Sequence, residues 1–289
     1  MYAITGITGH VGGAAANTLL AQGDQIRAVV RSAAKGRPWS RRGADVAVAD
    51  LADPAALADA IAGCRGAFVM LPTDLAGTDE SHRRLADSIV EGVARSGVLH
   101  VVMLSSVGAD LPEGTGPVRW LHQLENGLRD TGVVVTAIRS AHFQEKVVDV
   151  LPAVTGSGTF PVFGSADVEI PMVATRDVGA AVAAALEHPP LASEIVDLDP
   201  PAYTERQVAA ALAAVLDRPV EVVTVPRPAW PDALRDAGVP AALAAELIEL
   251  YEATDQGLLR PRGGGRRLPC TTPIEATLRE LVAPRRVGA

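Results

Sequence analysis

Three glycines do most to limit what this chain can fold into. In Ile4-Thr5-Gly6-Ile7-Thr8-Gly9-His10-Val11-Gly12-Gly13 they fall at 6, 9 and 12, directly after an apolar strand pattern (Tyr2–Gly6) and at the opening of a helical one (His10–Gln22). A strand that turns so sharply into a helix needs a residue without a side chain at the turn, which is Gly6. Gly9 lets a ligand approach the backbone, and Gly12 lets the helix lie close on the strand. The first helical turn, around Thr8, Gly9, His10 and Val11, then presents free N–H groups and the positive end of its dipole. A pyrophosphate fits such a place. The spacing is GxxGxxG rather than GxGxxG, but in strand–turn–helix context it predicts a nucleotide site; the alternative is a glycine-rich turn with no ligand.

The rest of the first half continues in the same rhythm. Gln25–Val30, Asp45–Leu51, Ala67–Leu71, Val101–Val107 and Val133–Arg139 are short, continuously apolar runs. Pro54–Ala62, Gly77–Arg95 and Pro117–Asp130 between them carry helical periodicity. Strands and helices in alternation predict an α/β chain with a doubly wound parallel sheet, and unbroken apolar strands fit a sheet covered on both faces. After about residue 150 proline and glycine become more frequent and helical patterns dominate: Arg176–Glu187, Glu205–Leu216, Ala229–Ala237 and Ala241–Thr254, with strands at Ile195–Leu198 and Val220–Val225. We read residues 1–150 as the nucleotide-binding part and residues 151–289 as a smaller, mostly helical substrate lobe, partly interwoven with the first. The basic, glycine-rich stretch Arg260–Arg267 reads as a solvated connector.

The second strand ends Val29-Val30-Arg31-Ser32. A dinucleotide with a free ribose 2′-hydroxyl calls for a carboxylate here. Arg31, Ser32, Lys35 and Arg37 stand there instead, and a guanidinium and a hydroxyl suit a 2′-phosphate. NADPH is therefore favoured over NADH, the alternative being that these are ordinary solvated cations. Asp50, beside Leu51 at the end of the third strand, is placed to meet the adenine amino group or else to start a turn. Leu71 and Pro72, where the fourth strand ends, complete the cofactor-facing set.

Net charge is −8, from 26 basic and 34 acidic side chains, which argues against direct nucleic-acid contact. Cys64 and Cys270 have no partner at metal or redox spacing and read as buried hydrophobes in a reducing compartment. No apolar run approaches membrane-spanning length, and Met1-Tyr2 leads straight into a strand, so the expectation is a cytoplasmic protein without a membrane partner. Hydrolase-elbow, Walker A and HExxH patterns are missing, and no metal site is expected.

Several segments resemble one family. Thr5–Gly12 (TGITGHVG) resembles the TGxTGxxG fingerprint of the atypical short-chain dehydrogenases of the NmrA-like group. Leu104-Ser105-Ser106, Leu121–Leu128 (LHQLENGL), Ile138–Glu145 (IRSAHFQE), Pro171–Ala180 (PMVATRDVGA) and Thr271-Thr272-Pro273 resemble further segments of that group in the same order. The resemblance implies a Rossmann-like NAD(P)-binding domain with a smaller C-terminal substrate lobe. Members of the group reduce quinones, azo compounds or isoflavonoid-type substrates with NADPH. Others tailor aromatic polyketides, in some cases without net redox chemistry, or bind the dinucleotide without turnover as redox-sensing regulators. We expect an NADPH-dependent oxidoreductase acting on a planar aromatic or quinonoid small molecule, with the sensor and the non-redox tailoring protein as alternatives.

Short-chain dehydrogenases typically relay protons through Tyr-x-x-x-Lys. Here the corresponding positions hold Val118 and His122, so the relay is absent, whereas hydride delivery to an electron-poor acceptor needs less acid assistance. His122 is then the candidate acid or base, or a plain helix-surface histidine. Ser105 and Ser106 end the fifth strand where the nicotinamide ribose is expected; Ser106 is a candidate catalytic hydroxyl and Ser105 a cofactor contact, unless they merely cap the strand. Two residues depart from the family pattern: Ser140 stands for its Pro and Lys146 for its Asn. Lys146 either stabilises an oxyanion or pairs at the surface with Glu145 or Asp149. His142 and Phe143 are expected to line the nicotinamide or substrate pocket. Phe143 and Trp120 are candidate stacking surfaces, with core packing as the alternative.

Overall fold

The computed structural model describes residues 1–283. The six apolar runs of the first half become β1 (Tyr2–Ile4), β2 (Ile26–Val30), β3 (Asp45–Val48), β4 (Gly66–Val69), β5 (His100–Ser106) and β6 (Val134–Ser140). The intervening helices are α1 (His10–Ala21), α2 (Ala33–Ser40), α3 (Pro54–Ile61), α4 (Asp79–Ser96) and α5 (Val118–Asp130). Helix starts follow local chemistry. The Asp53 carboxylate accepts from the N–H groups of Ala55 and Ala56 ahead of α3, and Thr78 and Ser81 exchange reciprocal hydrogen bonds at the start of α4. Helix α2 was not legible in the sequence, because Gly36 and Pro38 interrupt its pattern.

The second half contributes β7 (His142–Phe143), a 3₁₀ turn at Gln144–Asp149, α6 (Leu151–Ser157), β8 (Thr159–Phe163), β9 (Ile170–Val173) and α7 (Thr175–Glu187). Beyond these come β10 (Glu194–Asp199), β11 (Ala202–Tyr203), α8 (Glu205–Leu216), β12 (Glu221–Val225) and α9 (Trp230–Asp236). The described chain closes with α10 (Ala241–Asp255), β13 (Arg266–Pro269) and α11 (Ile274–Val282).

Eight strands make one sheet in the order β3-β2-β1-β4-β5-β6-β10-β13, with every pairing parallel. This is a doubly wound, Rossmann-like fold, as the alternation of strands and helices predicts. Alternate strand residues face opposite ways: Tyr2, Ile4 and Phe68 join α1 and α7 in one core, while Ala3, Val69 and Met103 join α3, α4 and α5 in the other. That double burial is why the strands read as unbroken apolar runs. A third core, with Phe160, Val162, Val208, Leu212, Ile274 and Leu278, gathers elements of the second half around β8 and β12.

The second half therefore divides its elements. Helix α7 and strands β10 and β13 extend the main sheet layer, whereas α6, β8, β9, α8, β12 and α11 gather around the third core. The stretch read as a solvated connector is one only in part. Arg266 and Arg267 lie in edge strand β13, where they pair with Glu194 and Asp199 of β10.

Side chains from the family-like segments join the halves. The Glu145 carboxylate accepts from the backbone N–H (2.9 Å) and hydroxyl (2.7 Å) of Thr175 at the start of α7. Asp177 accepts from the Thr272 hydroxyl at 2.7 Å, and the buried Gln144 amide donates to the carbonyls of Met172 (3.0 Å) and Thr272 (2.9 Å). Helix α7 lies so close to α1 that a Cβ on Gly179 would come within 2.4 Å of the Ala14 Cβ. Gly179→Val is expected to destabilise the fold by roughly 1–3 kcal/mol. An unshifted urea midpoint would show that the two helices can part without cost.

Candidate active site

With all strands of the sheet parallel, their carboxyl ends lie along one edge. Connections leave β1 toward β2 on one side and reach β4 on the other, so a crevice opens between β1 and β4. Gly6, with φ +59°, makes the turn at its floor, and a Cβ there would meet the Met70 sulfur at 2.4 Å. A Cβ on Gly12 would lie 2.5 Å from the Gly6 carbonyl oxygen, so α1 sits directly on the turn. At Gly9 a Cβ would meet only the Gly6 oxygen, at 3.3 Å, so the open side of that residue faces away from the protein. Gly9 caps α1 without a side-chain bond, and the first turn holds no acid to offset the helix dipole. Thr8, Gly9 and His10 are exposed, whereas Val11 is buried beneath them. The Thr5 hydroxyl is buried at the same turn without a hydrogen-bond partner. An uncapped helix start with a side-chain-free approach fits a pyrophosphate.

At the end of β2, Arg31, Ser32, Lys35 and Arg37 are all exposed. No side chain among the described residues pairs with any of the three cations, and Ser32 leaves the start of α2 without a side-chain cap. Asp50, at the end of β3, is also exposed and accepts from the Ala52 N–H at 3.0 Å, which is the turn-starting geometry. Leu51, Leu71, Pro72 and Phe143 are half-buried at the ends of their strands.

The residues expected near the nicotinamide divide differently. Ser105 is buried, and its hydroxyl donates to the Glu125 carboxylate. Arg139 forks onto the same carboxylate at 3.0 and 2.9 Å, and Arg129 adds a bond at 3.1 Å. Burial works against the charge on Arg139, but Glu125 outweighs it and holds the guanidinium above its ordinary pKa. Ser106 is half-buried and donates to the Val107 carbonyl at 3.0 Å. His122 has both ring nitrogens engaged: Nδ1 bonds the Ala109 carbonyl at 2.8 Å, and Nε2 meets the Asn126 amide at 3.0 Å. The carbonyl must be given a proton, so Nδ1 carries it and Nε2 accepts. Lys146 is exposed and pairs with Asp149 at 3.2 Å.

Trp120 is core rather than a stacking surface for a ligand. It is buried, its ring lies flat on His82 at 3.8 Å, and its Nε1 donates to Asp79 at 2.7 Å. Despite partial burial, hydrogen bonds from Trp120, Arg83 and Arg119 hold Asp79 down at about 2. His82 in turn bonds the Thr78 carbonyl at 2.8 Å and accepts from the Asp74 N–H at 3.0 Å, which pins the loop leaving β4. His142 lies in β7, just beyond the carboxyl end of β6. Solvent reaches its ring, yet protein surrounds it more widely, and this desolvation, with Lys146, pushes its pKa down to about 4.

Sequence reasoning missed an aromatic cluster in the second half. Phe163 stacks on Tyr251 at 5.2 Å, and Trp230 sets its edge against Tyr251 at 6.0 Å. These rings come from β8, α9 and α10, and no local spacing could have announced their meeting.

The crevice, the glycine turn and the parallel sheet belong to the doubly wound class of nucleotide-binding folds. A family described as NAD(P)H-binding matches residues 6–189, and the chain belongs to it. An NAD(P)H azoreductase of Xenophilus azovorans is 29% identical over 254 residues, covering 87% of this chain and 86% of the relative. Quinone oxidoreductase 2 of Escherichia coli (strain K12) is 28% identical over 188 residues, 63% of each chain. Among solved structures, the Escherichia coli NADPH-dependent quinone oxidoreductase complexed with NADPH superposes with a TM-score of 0.83 at 25% identity, covering 97% of this chain and 99% of that one. The Citrobacter sp. triphenylmethane reductase shares the fold, with a TM-score of 0.81 at 23% identity, covering 98% and 100%. The NmrA-like resemblance read from the sequence agrees with these relatives. No described helix is long and apolar enough to cross a membrane.

Gly9 and Gly12 separate ligand from fold. Gly9→Val is expected to leave the melting temperature within a few degrees of wild type and to abolish NADPH binding followed by nicotinamide fluorescence. Gly12→Val is expected to lower stability by about 1–3 kcal/mol or more, because the clash is with backbone. Retained NADPH affinity in Gly9→Val would remove the pyrophosphate from this turn.

Proposed function

We infer that the protein is an NADPH-dependent oxidoreductase that reduces a planar aromatic or quinonoid small molecule without a Tyr-x-x-x-Lys relay. What carries the reading is the match between a dinucleotide crevice lacking that relay and relatives that are azo and quinone reductases. When bound, the nicotinamide supplies a hydride. The protein's own groups bind and orient. The N–H groups around Thr8–Val11 take the pyrophosphate, with Gly6, Gly9 and Gly12 giving it access. Arg31, Ser32 and Lys35 hold the 2′-phosphate, and their lack of protein partners supports NADPH over NADH. Asp50 and Leu51 flank the adenine, while Leu71, Pro72 and Phe143 border the nicotinamide.

Ser106 stays within reach of the ribose or the substrate, whereas Ser105 acts inward through Glu125. His122, tethered at both nitrogens, shapes the loop after β5 through Ala109 rather than moving protons. Lys146 lends a positive charge to the rim of the cleft. Residues 151–289 supply most of the substrate-facing side, which α10 and the aromatic cluster form.

The direct test is NADPH oxidation with a panel of simple quinones at saturating cofactor. Enzyme-dependent loss of nicotinamide absorbance is expected. Tight binding without oxidation across the panel would replace the reductase with a dinucleotide-sensing regulator. Arg31→Asp is expected to lower the NADPH-to-NADH preference by about tenfold or more, the worth of one charge-assisted hydrogen bond. An unaltered ratio would move the 2′-phosphate elsewhere.

A further inference from the structure

Reduction of a quinone adds a hydride and then requires a proton on the oxygen that becomes a phenolate. Most candidate donors in this protein are already committed. His122 and His82 have both ring nitrogens bonded to protein. His142, at about 4, is neutral at ordinary pH. Among the tyrosines, Tyr2 is buried in β1 beneath Arg65, and the Tyr203 hydroxyl accepts from the Ile274 N–H at 3.1 Å. The Tyr251 phenol has no hydrogen-bond partner among the described residues and is not sealed from solvent.

Its position is over-determined. Helix α10 crosses the loop that leaves β5 so closely that a Cβ on Gly116 would meet the Glu246 carbonyl oxygen at 2.2 Å and the Leu250 nitrogen at 3.1 Å. Just beyond α10, the Leu259 side chain lies 2.9 Å from the place of a Cβ on Gly108, in the same loop. Arg119, at the start of α5, reaches Glu246 at 2.6 Å, Glu249 at 3.2 Å and Asp79 at 3.0 Å, and so locks α10 over the carboxyl end of β5. Phe163 and Trp230 hold the Tyr251 ring from two sides, and Trp230 is itself anchored by its Nε1–H to the Val225 carbonyl at 2.8 Å. Strand β9, a short loop away from Phe163, pairs with His142 and Phe143 at the end of β6. The aromatic cluster and the nicotinamide side of the cleft are thus neighbours along the chain. Burial, with the negative charges of Asp149 and Glu205 in the neighbourhood, pushes its pKa up to about 12 and keeps it protonated.

We propose that Tyr251 is the catalytic hydrogen-bond and proton donor to the acceptor oxygen, brought to the cleft by α10 in place of the missing Tyr-x-x-x-Lys. This assignment rests on the quinone-reductase reading above. NADPH loses two electrons and one proton as hydride, and the quinone gains them. The Tyr251 O–H bond breaks as the second acceptor O–H bond forms, and water returns the proton to the tyrosinate. Removing the donor costs most where the developing oxyanion is most basic, so the loss must depend on the acceptor.

The experiment compares wild type and Tyr251→Phe in NADPH oxidation with two quinones of nearly equal bulk, tetramethyl- and tetrachloro-1,4-benzoquinone, each corrected for its enzyme-free rate. With the tetramethyl quinone, kcat is expected to fall about 10²-fold, and with the less basic tetrachloro acceptor far less. NADPH affinity by fluorescence and the melting temperature should be unchanged. Equal activity, the same loss with both quinones, or a larger loss with the tetrachloro compound would overturn the assignment, since a packing defect does not track acceptor basicity. A wild type that oxidises NADPH with neither quinone would instead overturn the reductase reading and this assignment with it.

Discussion

Everything at the cofactor edge depends on how closely α1 lies on the turn after β1. With no side chain at Gly12, backbone meets backbone, and the start of the helix points into the crevice between β1 and β4. The dipole of α1 and its unpaired N–H groups act over only a few ångströms, so a helix held further off would aim them into solvent instead. The other side of α1 is equally lean. Ala14 and Ala15 leave room for α7, whose own Gly179 makes the second close approach. One helix of small residues therefore sits directly on the glycine turn and also ties the second half of the chain to the first.

The segments that resemble a family in sequence prove, side chain by side chain, to be joints. Glu145 caps α7, Asp177 holds Thr272, Gln144 bridges two carbonyls, and Glu125 receives both Ser105 and Arg139. Burying such groups costs desolvation, which is recovered only where the geometry satisfies them fully. They set where strand ends and helix starts stand relative to each other, and the cleft inherits its shape from them.

The loop after β4 and helix α10 are also linked through polar contacts. The loop after β4 is pinned by His82, which stacks on Trp120. Trp120 bonds Asp79, and Asp79 shares Arg119 with Glu246 and Glu249 on α10. Arg119 faces three carboxylates, so the charge balance draws α10 down onto the loop after β5 rather than leaving it free. The loop after β4 and helix α10 are held in one register by this chain of contacts.

By itself the sequence determined the six strands of β1–β6 and, α2 excepted, the helices between them, together with the parallel sheet, the glycine turn and the cations at the end of β2. All of these arise from residues within a few positions of one another, where backbone sterics and burial periodicity act directly. Tertiary structure alone decided which polar side chains remain available. Ser105 looked free at a strand end but meets Glu125 from a helix 20 residues on. His122 finds a carbonyl 13 residues earlier, and Trp120 disappears beneath His82. The last two residues of the basic glycine stretch became part of a sheet edge because β10 offered an unpaired strand and two carboxylates. Phe163, Trp230 and Tyr251 carry no mutual spacing in the sequence. They meet because three separate elements pack around one point, and packing across the molecule is information that a local pattern does not hold.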